Sequence, residues 1–135
     1  MRSQFRKALE HLSSGVTVLS QEAGLAAYRD CDDWLTELID YLEGNRDYAA
    51  SFIRDNMPAI GRNKMEGTFL MWLDCGKLGI EGSPTEFFAK NAKVQLNDGK
   101  RFGHGYEKYV RLNLGTNRET LEEILTRMKN ALDAR

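Results

Sequence analysis

Apolar side chains recur at helical spacing near the start of the chain. They predict a short helix over residues 4–12 and a second over 20–28, with Ser20 as its N-cap. One face of the first helix carries Phe5, Ala8, Leu9 and Leu12. Both helices are short and have few apolar residues with which to form a core of their own. We therefore expect residues 1–30 to pack against another body of protein.

A longer helix is predicted over residues 32–57, where two apolar stripes follow one another. Asp32 or Asp33 is a suitable N-cap, and Pro58 ends the helix. Gly44 lies between the stripes and weakens the middle by up to about 1 kcal/mol relative to alanine. At the usual rise per residue the helix would be about 40 Å long. Two stripes on one long helix are typical of a connector between two packed bodies.

The pattern changes from helix to loop and strand after residue 60. A polar loop is predicted over 61–66, followed by a strand over 67–75 that is apolar on both faces, with Trp72 in the core. A short strand is expected over 94–96, and the alternation over 107–114 predicts a half-buried strand. On this last strand one face carries Tyr109, Arg111 and Asn113, and the other carries Val110, Leu112 and Leu114.

Two further helices are predicted around these strands. Ser83 can cap the first, with Pro84 at its first position, and Thr116 and Glu119 form a capping box before the second. The apolar stripe of the last helix consists of Leu121, Ile124, Leu125, Met128 and Leu132. The predicted fold is α+β, with a small, mainly antiparallel sheet covered by helices and preceded by a long connecting helix.

Composition narrows the possible functions. The net charge is −1, from 19 basic and 20 acidic residues, so nucleic acid and acidic membrane surfaces are not expected partners. The amphipathic N-terminus has no apolar core of a secretory signal, and no apolar run approaches a membrane span, so we expect a cytoplasmic protein. Cys31 and Cys75 lack metal-ligand spacing, so we expect reduced thiols and no metal site.

The candidate chemistry lies in the glycine-rich loop 99–105 and the strand after it. The loop precedes a strand rather than a helix, so it is not a phosphate cradle. Arg111 is unusual in mid-strand, and its planar fork of donors fits a carboxylate or phosphate. Either Arg111 pairs with a nearby glutamate on a solvated face, for about 0–1 kcal/mol, or it grips a small anionic substrate.

Two polar neighbours have weaker claims to a functional role. Asn113 could help to fix the Arg111 guanidinium, although a hydrogen bond to the main chain is the favoured interpretation. His104 could act as an acid or base, but a solvated loop histidine is favoured because no carboxylate or nucleophile orients it. His11 has no partner in view and is expected at the surface.

The run G-x-x-F-G-x-G-x(4)-V-R-L-N, from Gly99 to Asn113, carries a resemblance. It resembles the C-terminal signature of class I/II aminotransferase-like enzymes of fold type I, which use pyridoxal 5'-phosphate (PLP). The similarity extends upstream through T-F-L-M-W-L-D at 68–74 and the long helix, and it is greatest to the cystathionine β-lyase/bifunctional aminotransferase subgroup. The resemblance implies the fold of a PLP-transferase small domain, with Arg111 binding the α-carboxylate of an amino acid substrate.

The resemblance also implies what this chain lacks. In the family, the Schiff-base lysine and the cofactor aspartate belong to segments expected before residue 1, and none of the eight lysines here lies in an S-x-[ST]-K setting. We therefore expect no catalytic and no cofactor-binding residue in this chain, PLP only in a longer parent enzyme, and no activity of the chain alone. Lyase and aminotransferase remain equally open.

Uncovered helical faces predict a homo-oligomer such as a dimer. The alternative to an enzyme domain is a stand-alone, non-enzymatic α+β module that self-associates or docks on a partner.

Overall fold

A computed structural model describes residues 2–9 and 15–135. Its contacts divide the chain into two units, residues 1–38 and residues 39–135, with the boundary inside a long helix. The helices are α1 (Arg2–Leu9), α2 (Val18–Asp30), α3 (Asp32–Asn56), α4 (Pro84–Asn91) and α5 (Arg118–Asp133). The strands are β1 (Gly61–Arg62), β2 (Leu70–Asp74), β3 (Asn97–Asp98) and β4 (Tyr109–Asn113). Short 3₁₀ turns cover Gly76–Leu78 and Gly99–Phe102.

The first unit contains α1, α2 and the start of α3. The helix predicted over 4–12 is present over Arg2–Leu9, and its predicted end, with His11 and Leu12, lies outside the described residues. The prediction of Ser20 as N-cap is wrong, because Thr17 holds that position and its hydroxyl accepts a hydrogen bond from the Ser20 N–H. No residue of α2 is buried.

Helix α3 is continuous through Gly44, as the sequence predicted. Asp32 and Asp33 lie in its first turn rather than at the N-cap, since the Leu35 N–H already donates to the Cys31 carbonyl. Carboxylates in a first turn still stabilise a helix through its dipole. The second stripe packs inward, where Asn45, Ala49 and Ile53 are buried.

The sheet belongs to the second unit and is antiparallel throughout, in the order β1-β2-β4-β3. The predicted α+β fold with a small antiparallel sheet is therefore confirmed. Two strand positions differ from expectation. β1 lies where a loop was predicted, and the strand expected over 94–96 pairs instead at Asn97–Asp98. Val94 and Leu96 are buried in the core, so their apolar alternation marks burial rather than strand pairing.

One face of the sheet forms the core together with α3, α4 and α5. The largest fully buried apolar side chains include Ile53, Met71, Leu73, Phe88, Val110, Leu112, Leu114, Leu121, Leu125 and Met128. β2 alternates between buried and half-buried residues, so the prediction that both of its faces are buried is wrong. Trp72 lies on the half-buried face, outside the core.

The caps of the later helices also differ from prediction. Asn117, not the expected Thr116 and Glu119 box, caps α5 by accepting a hydrogen bond from the Thr120 N–H. Ser83 holds the N-cap position of α4 as predicted, but its hydroxyl makes no capping hydrogen bond. Within the described ranges, no helix combines the length and apolarity that a bilayer span requires. The same residues contain no cluster of His, Cys, Asp and Glu that could hold a metal ion.

Candidate functional site

The candidate site lies on the sheet face that points away from the core. Strand β4 places Arg111 between Trp72 on β2 and Asn97 on β3, which are its register partners. Side chains paired across antiparallel strands lie on the same face, so these three share one surface. The 3₁₀ turn after β3 adds Phe102 to the same surface.

The guanidinium of Arg111 is held by two neighbours. Its Nε and Nη2 donate to the Asn97 Oδ1 at 3.3 and 3.1 Å, and its Cζ lies 4.7 Å from the centroid of the Phe102 ring. Arg111 is half-buried. The ion pairs of the described residues do not include it, so the glutamate partner considered from the sequence is not found there.

Four aromatic rings pack together beside this arginine, and we call Trp72, Phe102, Tyr106 and Tyr109 the aromatic cluster. Trp72 stacks on Tyr109 at 5.6 Å, and it meets the rings of Phe102 at 5.3 Å and Tyr106 at 5.6 Å in edge-to-face pairs. An open pocket of about 330 Å³ is lined by Trp72, Phe102, Tyr106 and Arg111. The role of Trp72 is therefore to build this wall, and the expectation that it packs in the core is wrong.

Asp74 and Tyr109 secure the far end of the aromatic cluster. The Tyr109 hydroxyl donates to the Asp74 Oδ2 at 3.2 Å, and the Asp74 Oδ1 accepts from the Gly76 N–H at 2.8 Å. The hydrogen bond to the carboxylate raises the pKa of Tyr109. The phenol therefore stays neutral, and Asp74 is occupied by these two donors instead of facing Arg111.

The glycine-rich loop brings Phe102 into place. A Cβ at Gly99 would lie 2.3 Å from the Tyr106 carbonyl oxygen, so the main chain here needs glycine for close approach. Gly103 and Gly105 have φ of 136° and 93°, values that favour glycine, as the sequence predicted. Asp98 accepts a hydrogen bond from the Lys100 N–H and starts the 3₁₀ turn.

The other sequence candidates lie apart from the pocket. Asn113 accepts a hydrogen bond from the Gly115 N–H at 2.8 Å, which confirms its favoured main-chain role. His104 is exposed in the loop. Burial raises the pKa of the Cys75 thiol to about 12, so this thiol is not a nucleophile at neutral pH. Asn97 was missed by the sequence interpretation, since only the strand register places it beside Arg111.

No protein-family model matches the chain. It is 37% identical to the cystathionine β-lyase of Corynebacterium glutamicum over 130 residues, which cover 93% of this chain and 34% of that protein. It is 33% identical to the cystathionine β-lyase PatB of Bacillus subtilis over 133 residues, covering 97% of this chain and 34% of PatB.

Solved structures give the same result. A putative PLP-dependent β-cystathionase from Corynebacterium diphtheriae superposes with a TM-score of 0.85 at 40% identity, covering 90% of this chain and 32% of that one. The chain therefore resembles one part of the fold-type I PLP-dependent enzymes in both sequence and fold. Within this family, a PLP-bound C–S lyase from Staphylococcus hominis matches with a TM-score of 0.85 at 30% identity, covering 98% of this chain and 36% of that one.

The family resemblance inferred from residues 99–113 is thereby confirmed, including its proximity to the cystathionine β-lyases. The chain spans about a third of the length of the relatives it matches.

The pocket does not fit PLP itself. None of its lining residues can form a Schiff base, and none is an acid that could pair with a pyridinium nitrogen. The Lys108 ammonium donates hydrogen bonds to the carbonyls of Ile80 and Gly82 at 2.9 and 2.8 Å. It therefore connects the loop before α4 to the start of β4. What the pocket offers is a cation beside an aromatic wall, which suits a carboxylate.

Proposed function

We propose that this chain supplies the substrate-binding small domain of a PLP-dependent C–S lyase or aminotransferase, with Arg111 as the clamp for the substrate α-carboxylate. The observation that carries the proposal is the placement of Arg111. Its guanidinium lines an open pocket, its neighbours are an amide and aromatic rings, and no carboxylate among the lining residues competes for it. In enzymes of this family PLP supplies the electron sink. The residues of this chain would bind and orient the substrate.

The chemistry of the pocket favours a small carboxylate. Arginine presents paired N–H donors that match the two oxygens of a carboxylate. A hydrogen bond to a charged group contributes about 1.5–3 kcal/mol when its surroundings exclude water. Trp72, Phe102 and Tyr106 provide an aromatic wall beside the cation.

The burial of side chains supports a division of the chain into two parts. We propose that residues 1–30 pack against a cofactor-binding body and that residues 31–135 form the linker helix and small domain. The support is the exposed apolar surface of the first helices: Phe5 is 66% exposed, Leu19 83% and Tyr28 91%. We propose that residues 1–135 alone release no pyruvate from cystathionine, even with PLP added, because none of their eight lysines lies in an S-x-[ST]-K setting.

The same exposed residues also favour a second candidate, in which the chain is a non-enzymatic module that self-associates. Apolar helix faces left in water bury readily against a second copy. Light scattering separates the two candidates by measuring the molar mass of the chain with and without Leu9→Lys. A dimer that Leu9→Lys converts to a monomer supports self-association. A chain that is a monomer both with and without the substitution supports packing on another body of protein. Phe5→Lys on the same helix is the companion variant.

A chimera tests the enzymatic proposal. The part of C. glutamicum cystathionine β-lyase that precedes its match to this chain is joined to residues 1–135, and yellow cofactor absorbance shows that the protein has loaded PLP. Pyruvate release from L-cystathionine then measures kcat/KM. We expect Arg111→Lys to lower it by about 30- to 100-fold, because lysine cannot reproduce the paired donors.

Arg62→Lys is the matched control for this experiment. Arg62 is an exposed arginine on β1, paired with Leu73 and therefore on the other face of the same sheet. The Arg62→Lys chimera should have the same kcat/KM as the unsubstituted chimera. Equal kcat/KM for the Arg111 and Arg62 variants would contradict the carboxylate role of Arg111.

A further inference from the structure

Asn97 occupies one edge of the Arg111 guanidinium. The guanidinium has five N–H donors in a fixed planar fork. The Nε–H and one Nη2–H lie on the same edge, and both point at the Asn97 Oδ1, at 3.3 and 3.1 Å. This uses the side edge of the fork. Among the described residues, no acceptor is hydrogen-bonded to the end edge, which is formed by Nη1 and the second Nη2 hydrogen.

A second contact fixes the plane of the fork. The Arg111 Cζ lies over the Phe102 ring, 4.7 Å from its centroid, which is a cation–π contact. Trp72 meets the Phe102 ring at 88°, edge to face, and so holds the support itself. One contact limits swing within the plane and the other limits tilt out of it. Both are needed because Asn97 is on an edge strand and exposed to water.

The chemistry of residue 97 matters as much as its position. An amide oxygen accepts hydrogen bonds without a formal charge, so Arg111 keeps its full positive charge toward the pocket. A carboxylate at the same position would satisfy the same donors but neutralise the cation. An asparagine therefore restrains the guanidinium without competing with an anionic ligand.

We propose that Asn97 is a positioning residue, which with Phe102 fixes Arg111 so that a substrate carboxylate binds end-on, through Nη1 and Nη2. The inference rests on the proposed function of Arg111 and specifies its geometry. It predicts that loss of Asn97 leaves the cation in place but lets it turn. Affinity for the carboxylate then falls while the chemical step is preserved.

Arginine-detected NMR on the 135-residue chain tests the restraint without any cofactor. In the wild-type chain the Arg111 Nε–H should exchange with water more slowly, and rotation about Nε–Cζ should be slower, than in the exposed Arg62. Asn97→Ala should bring both rates to those of Arg62. Asn113 lies on β4 with Arg111 but accepts a hydrogen bond from the Gly115 N–H, so Asn113→Ala should leave both rates unchanged.

Acetate serves as the carboxylate probe for the choice of edge. Titration should shift the Nη signals of Arg111 while its Nε–H signal stays in place, because the side edge is already occupied. Asn97→Asp should keep the slow rotation yet abolish the acetate response. An acetate shift centred on the Nε–H, or wild-type rates equal to those of Arg62, would overturn the inference.

Kinetics of the chimera connect the restraint to substrate binding. Asn97→Ala should raise KM for L-cystathionine about five- to tenfold with kcat nearly unchanged, and it should add nothing in an Arg111→Lys background. If Arg111→Lys raises KM and Asn97→Ala does not, this inference is wrong and the proposed function stands. If Arg111→Lys has no effect, the proposed function itself fails.

Discussion

Residues 39–135 and the described part of residues 1–38 are both rich in helix, yet they differ completely in burial. The second unit encloses a continuous core, whereas none of the side chains described in the first unit is buried. The two halves of α3 show the contrast within one helix. Trp34 and Leu35 near its start are 63% and 48% exposed, while Ala49 and Ile53 are fully buried. Amphipathic patterning therefore shows which face seeks a partner, but not whether the chain provides one.

The largest expected effect separates the two units by stability. Leu125→Ala removes a fully buried side chain from α5 and should lower the free energy of unfolding by about 2–5 kcal/mol. Leu25→Ala, at a 54% exposed position on α2, should change it by less than about 0.5 kcal/mol. Urea unfolding followed by circular dichroism measures both. Comparable losses would show that α2 is packed as firmly as the core.

Two glycines give a smaller contrast. Gly99→Ala would place a Cβ 2.3 Å from the Tyr106 carbonyl oxygen, so we expect a loss of about 1–3 kcal/mol and altered signals of Phe102 and Arg111. Gly24→Ala lies within α2 and meets no atom within 4 Å, so better helix propensity should stabilise that helix by up to about 1 kcal/mol. Thermal unfolding of both variants would reveal the opposite signs. A destabilising Gly24→Ala would mean that α2 has a neighbour there.

The cysteines offer a comparison that leaves stability unchanged. Cys31 is exposed, whereas Cys75 is buried with its pKa raised to about 12, chiefly by burial. The thiolate is the reactive form, so at pH 8 only roughly one Cys75 in 10,000 would be ionised. Brief iodoacetamide treatment followed by peptide mass spectrometry should find Cys31 modified and Cys75 intact until urea is added. Early modification of Cys75 would mean that the sheet opens in the native protein.

Sequence reasoning succeeded where one periodic face meets the core. The second stripe of α3, the stripe of α5 and the alternation of β4 identify residues that burial later confirms, such as Ile53, Leu125 and Leu112. Arg111 stood out as a charged residue within a regular strand pattern, and the carboxylate role that the family resemblance gave it stays a prediction. These signals are local, since each depends on neighbours within a few residues along the chain.

The remaining parts of the site depend on register, which local patterns leave open. Trp72 looked like a core residue until pairing with β4 placed it opposite Arg111 on the outer face. Asn97 gave no signal at all, because its place beside Arg111 depends on β3 pairing at residues 97–98 rather than at 94–96. A shift of one residue in either strand would turn these side chains to the opposite face.

Carboxylate recognition by Arg111 is tested by discrimination between an acid and its amide. In the chimera, L-alanine and L-alaninamide compete with L-cystathionine, and their inhibition constants are compared for wild type and Arg111→Lys. We expect wild type to favour L-alanine by about 100-fold and the variant to lose most of that preference. An unchanged preference in Arg111→Lys would place carboxylate recognition elsewhere and contradict the account.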